Sequence, residues 1–354
     1  MIAATAPSHV VFRCDAGPEI GAGHLVRSIA LAEGFLACGV PSTFVTGALV
    51  GAWRDMIEAR GFPLIEDKGV GRASTGHEVM AQIAPKAKAL VVLDGYGFFA
   101  EHVREARRVA DRVAVIRDHG TPAGADVVID HNLSAEPYAE ANPAALQLLG
   151  PRYALLRNEF HRARRLPIPS DRPEILICLG GSQATPVLLK VLDALSRISI
   201  PFVARVIASP HDAQTTGESE ELGPGILHWL SPQSTLAHWF SRSHLAVLAA
   251  GGARFEAACC GCPMILGILA DNQVRDAEAF ADRGIARLVG WWDDAPVLEI
   301  ARVIEELLRH ETIRHSLSQQ GRALIDGRGA IRTARSIIEH FAFGMGPTRL
   351  ENSQ

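Results

Sequence analysis

A histidine stands at the entrance of what reads as a helix. Ile20-Gly21-Ala22-Gly23-His24 follows the apolar run Val10-Val11-Phe12 and precedes a helical pattern from Leu25 to Cys38. The order is strand, glycine loop, helix. His24 therefore lies at the carboxyl end of a first strand, the edge at which open α/β sheets bind ligands. Gly21 and Gly23 carry no side chain, so the loop can turn tightly and a ligand can reach its backbone. Free N–H groups at a helix start favour an anion. The same positive end disfavours imidazolium, so His24 is expected to stay neutral near physiological pH, as a general base must. Arg27 follows on the same helical face, and Arg13 and Asp15 end the strand. Spacing alone leaves two readings open: His24 is a base, or it caps the helix beside an ordinary glycine turn.

The elements needed to hold such a site are spread over the whole chain. With 354 residues, 48% hydrophobic and 21% charged, the chain is expected to form two globular domains, each with its own core. A net charge of -4 argues against nonspecific nucleic-acid binding, which needs a basic face. No apolar run reaches the length of a membrane span. Met1 to Ser8 lacks the pattern of a signal peptide, and a cytoplasmic protein is expected. Cys259-Cys260-Gly261-Cys262 does not have zinc-knuckle spacing. The six cysteines read as buried free thiols, and no metal or cofactor is expected.

Strand-like and helical runs alternate, as in βαβ units with parallel sheets. In the first half, strands are expected at Ser42–Thr46, Ala89–Leu93, Val113–Ile116 and Asp126–Ile129, with a helix near Ala52–Arg60. Polar groups follow three of these strands: Asp94-Gly95-Tyr96-Gly97, Arg117-Asp118-His119 and Asp130-His131-Asn132. Singly each is a loop; together they line the edge that carries His24. Gly150 to Phe160 closes this half. The basic, proline-containing run from His161 to Pro173 reads as a linker.

The second half repeats the architecture. Strands are expected at Ile175–Leu179, Phe202–Ala208, Leu245–Ala250 and Met264–Ile268. Helices are expected near Val187–Ser196 and Arg254–Cys260. Ala213 to Pro224 reads as a mobile surface loop. Gly180-Gly181-Ser182-Gln183 and Gly251-Gly252 both sit at strand-to-helix turns, where backbone N–H groups and helix ends can hold a diphosphate. Glu256 and Gln273 fall where ribose and sugar hydroxyls would lie. Val297 to Phe341 reads as helices interrupted at Asp326-Gly327-Arg328-Gly329. The expected division is residues 1–165 for the first Rossmann-like domain with the histidine, 166–330 for a second Rossmann-like, nucleotide-binding domain, and 331–354 for a terminal helix and tail.

Phe12-Arg13-Cys14-Asp15, Ile20 to His24 and Arg27 resemble the start of the UDP-2,4-diacetamido-2,4,6-trideoxy-β-L-altropyranose hydrolases of pseudaminic acid biosynthesis, the PseG/SpsG-like group. Asp94 to Gly97 is similar to that family's Asp-His-Tyr-Gly segment, with Gly95 in the histidine position. Tyr153 to Phe160 is similar to its Tyr-Ala-Leu-Ile-Arg-Glu-Glu-Phe segment, and Arg117-Asp118 stands where the family often has paired aspartates. Gly180 to Gln183 also resembles the Gly-Gly-Ser-Gln loop of the lipid II N-acetylglucosaminyltransferase. The resemblance implies an α/β fold of the GT-B type, two Rossmann-like domains facing across a cleft. It implies release of UDP from a diacetamido-trideoxyhexose by water attack at the anomeric carbon, with inversion and with His24 as base. Arg13, Asp15, Gly21, Gly23, Arg27, Tyr96, Asn132 and Arg157 would then bind the sugar. Gly180, Gly181, Ser182, Gln183, Gly251, Gly252, Glu256, Asn272 and Gln273 would bind UDP. Flagellin glycosylation would be the setting, with other enzymes of the pathway as possible partners. A glycosyltransferase with a UDP-amino-sugar donor, a 2-epimerase and a silent nucleotide-sugar-binding protein are the alternatives.

Overall fold

The computed structural model describes residues 6–17, 21–49, 51–66, 89–96, 98–117, 124–136, 145–163, 172–180, 185–207, 217–231, 233 and 235–343. These form two units. One comprises residues 1–157 together with 328–354, the other residues 158–327.

The first unit contains strands β1 (His9–Cys14), β2 (Ser42–Thr46), β3 (Leu64–Glu66), β4 (Ala89–Asp94), β5 (Arg112–Ile116), β6 (Val127–Asp130) and β7 (Leu146–Leu149). Helices α1 (Gly23–Ala37), α2 (Gly51–Glu58) and α3 (Ala100–Ala106) connect them. The seven strands lie in the order β3-β2-β1-β4-β5-β6-β7 and all pair in parallel. The chain runs outward from β1 through β2 and β3, then returns to place β4 on the other side of β1. This reversal is the switch point at which such sheets bind ligands. Every residue of β4 is buried, as expected of a strand covered on both faces. In the core, Phe12 stacks on Phe44 with ring centroids 5.1 Å apart.

The second unit contains α4 (Asn158–Arg162), β8 (Glu174–Cys178), α5 (Thr185–Ser196), β9 (Val203–Ile207), β10 (Ser219–Leu222), β11 (Gly225–Leu230), α6 (Ala237–Arg242), β12 (Leu245–Ala249), α7 (Ala253–Cys260), β13 (Met264–Ile268), α8 (Val274–Asp282) and β14 (Ala286–Trp291). Helices α9 (Val297–Arg309) and α10 (Glu311–Leu324) complete it. Its seven strands lie in the order β10-β11-β9-β8-β12-β13-β14, so this sheet reverses between β8 and β12. The segment expected to be a loop up to Pro224 instead contains β10, an edge strand antiparallel to β11. Backbone pairing supplies what Ser219-Glu220-Glu221 lacks in apolar character.

The last described helix, α11 (Gly329–Phe343), returns to the first unit and packs on α1. Ala330, Ala334, Ile337 and Phe341 are buried in the same core as Phe12, Leu25 and Phe35. Gly34 makes the close approach possible, because a Cβ there would stand 2.5 Å from the Ala330 carbonyl oxygen. The observed units thus divide at 157/158 and 327/328, not at 165/166 and 330/331. His161 and Arg162, read as the start of a linker, belong to helix α4 of the second unit, where His161 Nδ1 lies 2.9 Å from the Asp326 carbonyl oxygen. Residues 164–171 of that expected linker lie outside the described residues.

Candidate active site

The first unit gathers its polar groups where β1 and β4 end. Cys14 and Asp94 are register partners across these strands. Helix α1 starts beyond β1 with Ala22 at its N-cap position and no side-chain cap. His24 is therefore within the first turn and does not cap the helix. Gly21 makes the preceding turn with φ +73°, a left-handed conformation that favours glycine. Its N–H donates back to the Gly17 carbonyl at 2.7 Å. A Cβ on Gly21 or Gly23 would meet nothing within 4 Å.

The group facing the first turns of α1 is the protein's own carboxylate. Asp94 is fully buried, and three side chains of one helix converge on it. His24 Nδ1 lies 2.8 Å from Oδ1. Arg27 Nε donates to Oδ2 at 2.8 Å and Nη2 donates to Oδ1. Ser28 Oγ donates to Oδ2 at 3.0 Å. The spacing of 24, 27 and 28 puts all three on one helical face. Burial alone would raise the Asp94 pKa, but the charge of Arg27, that of His24 when protonated, and the hydrogen bonds from both outweigh it. The carboxyl is held below its ordinary value of 3.8.

An ionised carboxylate only accepts hydrogen bonds. Nδ1 of His24 faces both this carboxylate and, at 2.9 Å, Arg27 Nη2; the tautomer that hydrogen-bonds Asp94 carries its proton on Nδ1 and leaves the basic lone pair on Nε2. This is how a carboxylate orients the histidine of a hydrolytic triad. The ring itself is only 4% exposed, but its neighbours here are polar. Tyr96, 55% exposed, stands edge-on to it with centroids 4.5 Å apart.

Arg13, Asp15 and Asn132 lie at or just beyond the carboxyl ends of β1 and β6 in the same sheet. Arg13 is fully buried and does not face solvent; its Nη1 donates to Asp15 Oδ1 at 2.6 Å, and its guanidinium lies 5.5 Å from the Phe98 ring centroid. Asp15 Oδ1 also accepts the Gly47 N–H at 3.2 Å. Asn132 follows β6, where its N–H donates to Asp130 Oδ1 at 3.1 Å. Arg157 is buried at the end of the unit. Asp118, His119 and Gly97 lie outside the described residues.

In the second unit, Gly180, Gly251 and Gly252 follow β8 and β12, the strands between which that sheet reverses. Gly180 follows β8 with φ +67°, and Gly251-Gly252 follow β12 into α7. A Cβ on any of these three would meet nothing within 4 Å, so a ligand could approach the backbone. Glu256 is buried in the first turn of α7. Burial first, and then the charge of Glu256, push the nearby Cys178 thiol up to about 12. Gln273 Oε1 accepts the Leu269 N–H at 3.0 Å, while Asn272 is exposed. Gly181, Ser182 and Gln183 lie outside the described residues.

Two features escaped the sequence reading. Asp94 was visible only as a polar strand end; its partners are 66 to 70 residues away. Arg254 is the other. Its Nε donates to Asp276 Oδ2 at 2.9 Å, and Nη1 donates to the carbonyls of Ala250 and Gly251 at 2.6 and 2.8 Å. It lies 4.5 and 5.4 Å from the ring centroids of Phe255 and Phe280. Arg254 thereby ties the glycine turn after β12 to α8.

Among the described residues, no group of three or more His, Cys, Asp or Glu side chains is placed to hold a metal ion. Cys259, Cys260 and Cys262 are buried free thiols. No described helix is long and apolar enough to cross a membrane.

The two units are those of the GT-B fold. MurG of Acinetobacter baumannii superposes with a TM-score of 0.65 over 94% of this chain and 99% of that chain, at 17% identity. The Staphylococcus aureus MnaA-UDP co-structure does so with a TM-score of 0.65 over 97% and 100%, at 12% identity. In sequence, the chain is similar along most of its length to the spore coat polysaccharide biosynthesis protein SpsG of Bacillus subtilis (strain 168). Identity is 26% over 345 residues, covering 92% of this chain and 96% of SpsG. It is also similar to the UDP-2,4-diacetamido-2,4,6-trideoxy-β-L-altropyranose hydrolase of Campylobacter jejuni, at 22% over 206 residues, 57% of this chain and 71% of that protein. These likenesses support the PseG/SpsG-like resemblance read from the motifs. No protein-family model matches the chain.

Proposed function

We propose that the chain is a UDP-sugar-using enzyme of sugar biosynthesis, and that its reaction is hydrolysis of a UDP-linked diacetamido-trideoxyhexose. Water attacks the anomeric carbon, the bond from that carbon to the diphosphate oxygen breaks, and UDP leaves with inversion. His24 Nε2 takes the proton from the attacking water. The observation that carries this reading is the His24–Asp94 contact at a sheet switch point, because it selects the tautomer a base needs. UDP is already a good leaving group, so the two carboxylic acids of ordinary glycosidases are not required. A positioned base contributes about 100-fold to 10,000-fold. The glycine turns at Gly180 and Gly251-Gly252 hold the diphosphate through backbone N–H groups. Tyr96, Asp15, Asn132 and Arg157 border the sugar in this reading.

The test is a panel of UDP-amino sugars in oxygen-labelled water, scored for UDP release and for the anomer formed. Label on the anomeric oxygen of the free sugar supports the mechanism. Label on phosphate overturns it. The structural similarity to MurG favours one second reading, transfer of a UDP-amino sugar to a hydroxyl acceptor. Turnover only when an acceptor is supplied would select it.

A further inference from the structure

His24 and Arg27 compete for a single oxygen atom. Oδ1 of Asp94 is approached by His24 Nδ1 at 2.8 Å and by Arg27 Nη2. The two nitrogens are themselves only 2.9 Å apart. Arg27 has donors and no acceptor, and Nδ1 carries a proton when it faces a carboxylate. The 2.9 Å approach therefore brings two donors together, and Asp94 holds both. Arg27 also occupies Oδ2 through Nε at 2.8 Å. The Arg27 side chain is 13% exposed, and both Nε and Nη2 reach this carboxylate.

We infer that Arg27 is a positioning residue that acts through Asp94. It fixes the carboxylate against His24 Nδ1 and shares the carboxylate's charge with the ring beside it. The inference rests on the proposed role of His24 as a base and gives Arg27 a task other than holding sugar. Without Arg27, a buried carboxylate that keeps the Ser28 hydroxyl but has lost its guanidinium would face the imidazole at 2.8 Å. Such a partner stabilises the protonated ring, and a protonated ring accepts no proton from water. A guanidinium sharing the carboxylate offsets that attraction while leaving the orienting hydrogen bond in place.

Other described groups lie close to the pair. Ser28, on the same helix, donates to Oδ2. From β1, Cys14 approaches Ser28 and Asp94; burial, then the charge of Asp94, raise its thiol and keep it neutral. Arg13 and Asp15, which also act on Cys14, neutralise one another at 2.6 Å. From the loop after β4, Tyr96 presents a ring edge to His24. Among these described groups, Arg27 is the cation in contact with the imidazole.

The test is an NMR titration of the His24 ring in the full-length protein, which needs no substrate. In the wild type, nitrogen shifts of the neutral ring should show the proton on Nδ1; a proton on Nε2 overturns the inference without any variant. In Arg27→Gln, the titration midpoint should rise by about one unit or more. In Arg27→Lys, which keeps the charge, it should stay near the wild-type value. An unchanged or lowered midpoint in folded Arg27→Gln overturns the inference. If Arg27→Gln does not fold, Arg27→Met is titrated against the same expectation, and the wild-type tautomer decides on its own. Where a donor is turned over, the acidic limb of kcat/KM should move to higher pH with the midpoint. A chain that titrates as expected but turns over no UDP-sugar leaves this inference standing and removes the hydrolase reading alone.

Discussion

His24 Nδ1 and Asp94 Oδ1 lie 2.8 Å apart across 70 residues of sequence, at the point where the first sheet reverses direction. A helix start and a strand end are thereby joined through one buried carboxylate. If His24 is the base, Asp94→Asn should lower kcat by about 100-fold to 10,000-fold, since an amide can present its NH2 group to Nδ1 and favour the wrong tautomer. The KM for the donor should change far less. Steady-state kinetics on the two proteins separates these effects; an unchanged kcat would remove Asp94 from the mechanism.

The same substitution has a pH-dependent effect on stability. Asp94 has a lowered folded-state pKa, so its stabilising contribution is fully present above the ordinary value of 3.8 and is lost as pH falls through the folded value. Breaking the pair also leaves the Arg27 charge largely buried, at a cost of about 3–5 kcal/mol. The gap in melting temperature between wild type and Asp94→Asn should therefore be wide at neutral pH and narrow below pH 3.8. Melting curves across this range check it; a gap that widened on acidification would contradict the sign.

Gly251 separates ligand approach from folding. A Cβ there meets nothing within 4 Å, so Gly251→Ala should change stability by no more than about 0.5 kcal/mol. If a diphosphate approaches this backbone, the same methyl group should weaken UDP binding. Calorimetric UDP titrations alongside thermal melts test the pair. Unchanged affinity would move the nucleotide away from this turn.

Arg254 and Asp276 bury a charge pair inside the second unit. Arg254→Met alone should cost about 3–5 kcal/mol, because it removes the guanidinium from the buried Asp276 carboxylate and the donors from Ala250 and Gly251. Adding Asp276→Leu should recover part of that loss, since the buried negative charge goes too. A double-mutant cycle by denaturant unfolding measures the coupling; simple additivity would show that the pair does not act as a unit.

Gly34 lies where α1 and α11 touch, and a Cβ there would stand 2.5 Å from a backbone oxygen. Alanine would gain up to about 1 kcal/mol of helix propensity, but crowding of this kind costs about 1–3 kcal/mol. Crowding should win, and Gly34→Ala should lower the melting temperature. A rise would mean that the two helices part easily.

The elements legible in sequence were those written as contiguous apolar runs. β2 and β13 occupy the expected residues, and β1, β4, β8 and β12 begin or end within a few residues of expectation. Both glycine turns after β8 and β12 were visible because Gly180, Gly251 and Gly252 interrupt such runs. β3, β7, β10, β11 and β14 were missed. Sheet pairing holds β10, since Ser219-Glu220-Glu221 has little strand character of its own, whereas β7, β11 and β14 are short apolar runs that periodicity alone does not mark as strands. The partners of Asp94 and Arg254 were illegible for a related reason. A carboxylate at a strand end looks the same in sequence whether it faces water or an arginine.

The return of α11 to α1 orders events during synthesis. The ribosome makes His24 and its helix early, then the whole second unit, and only afterwards the Gly329–Phe343 segment that covers α1. Until that segment emerges, the nascent first unit lacks Ala330, Ala334, Ile337 and Phe341 from its core and the partner that meets α1 at Gly34, leaving it open to chaperones or to aggregation. A carboxyl-terminal truncation that removes α11 should therefore disable the half of the protein furthest from the cut in sequence.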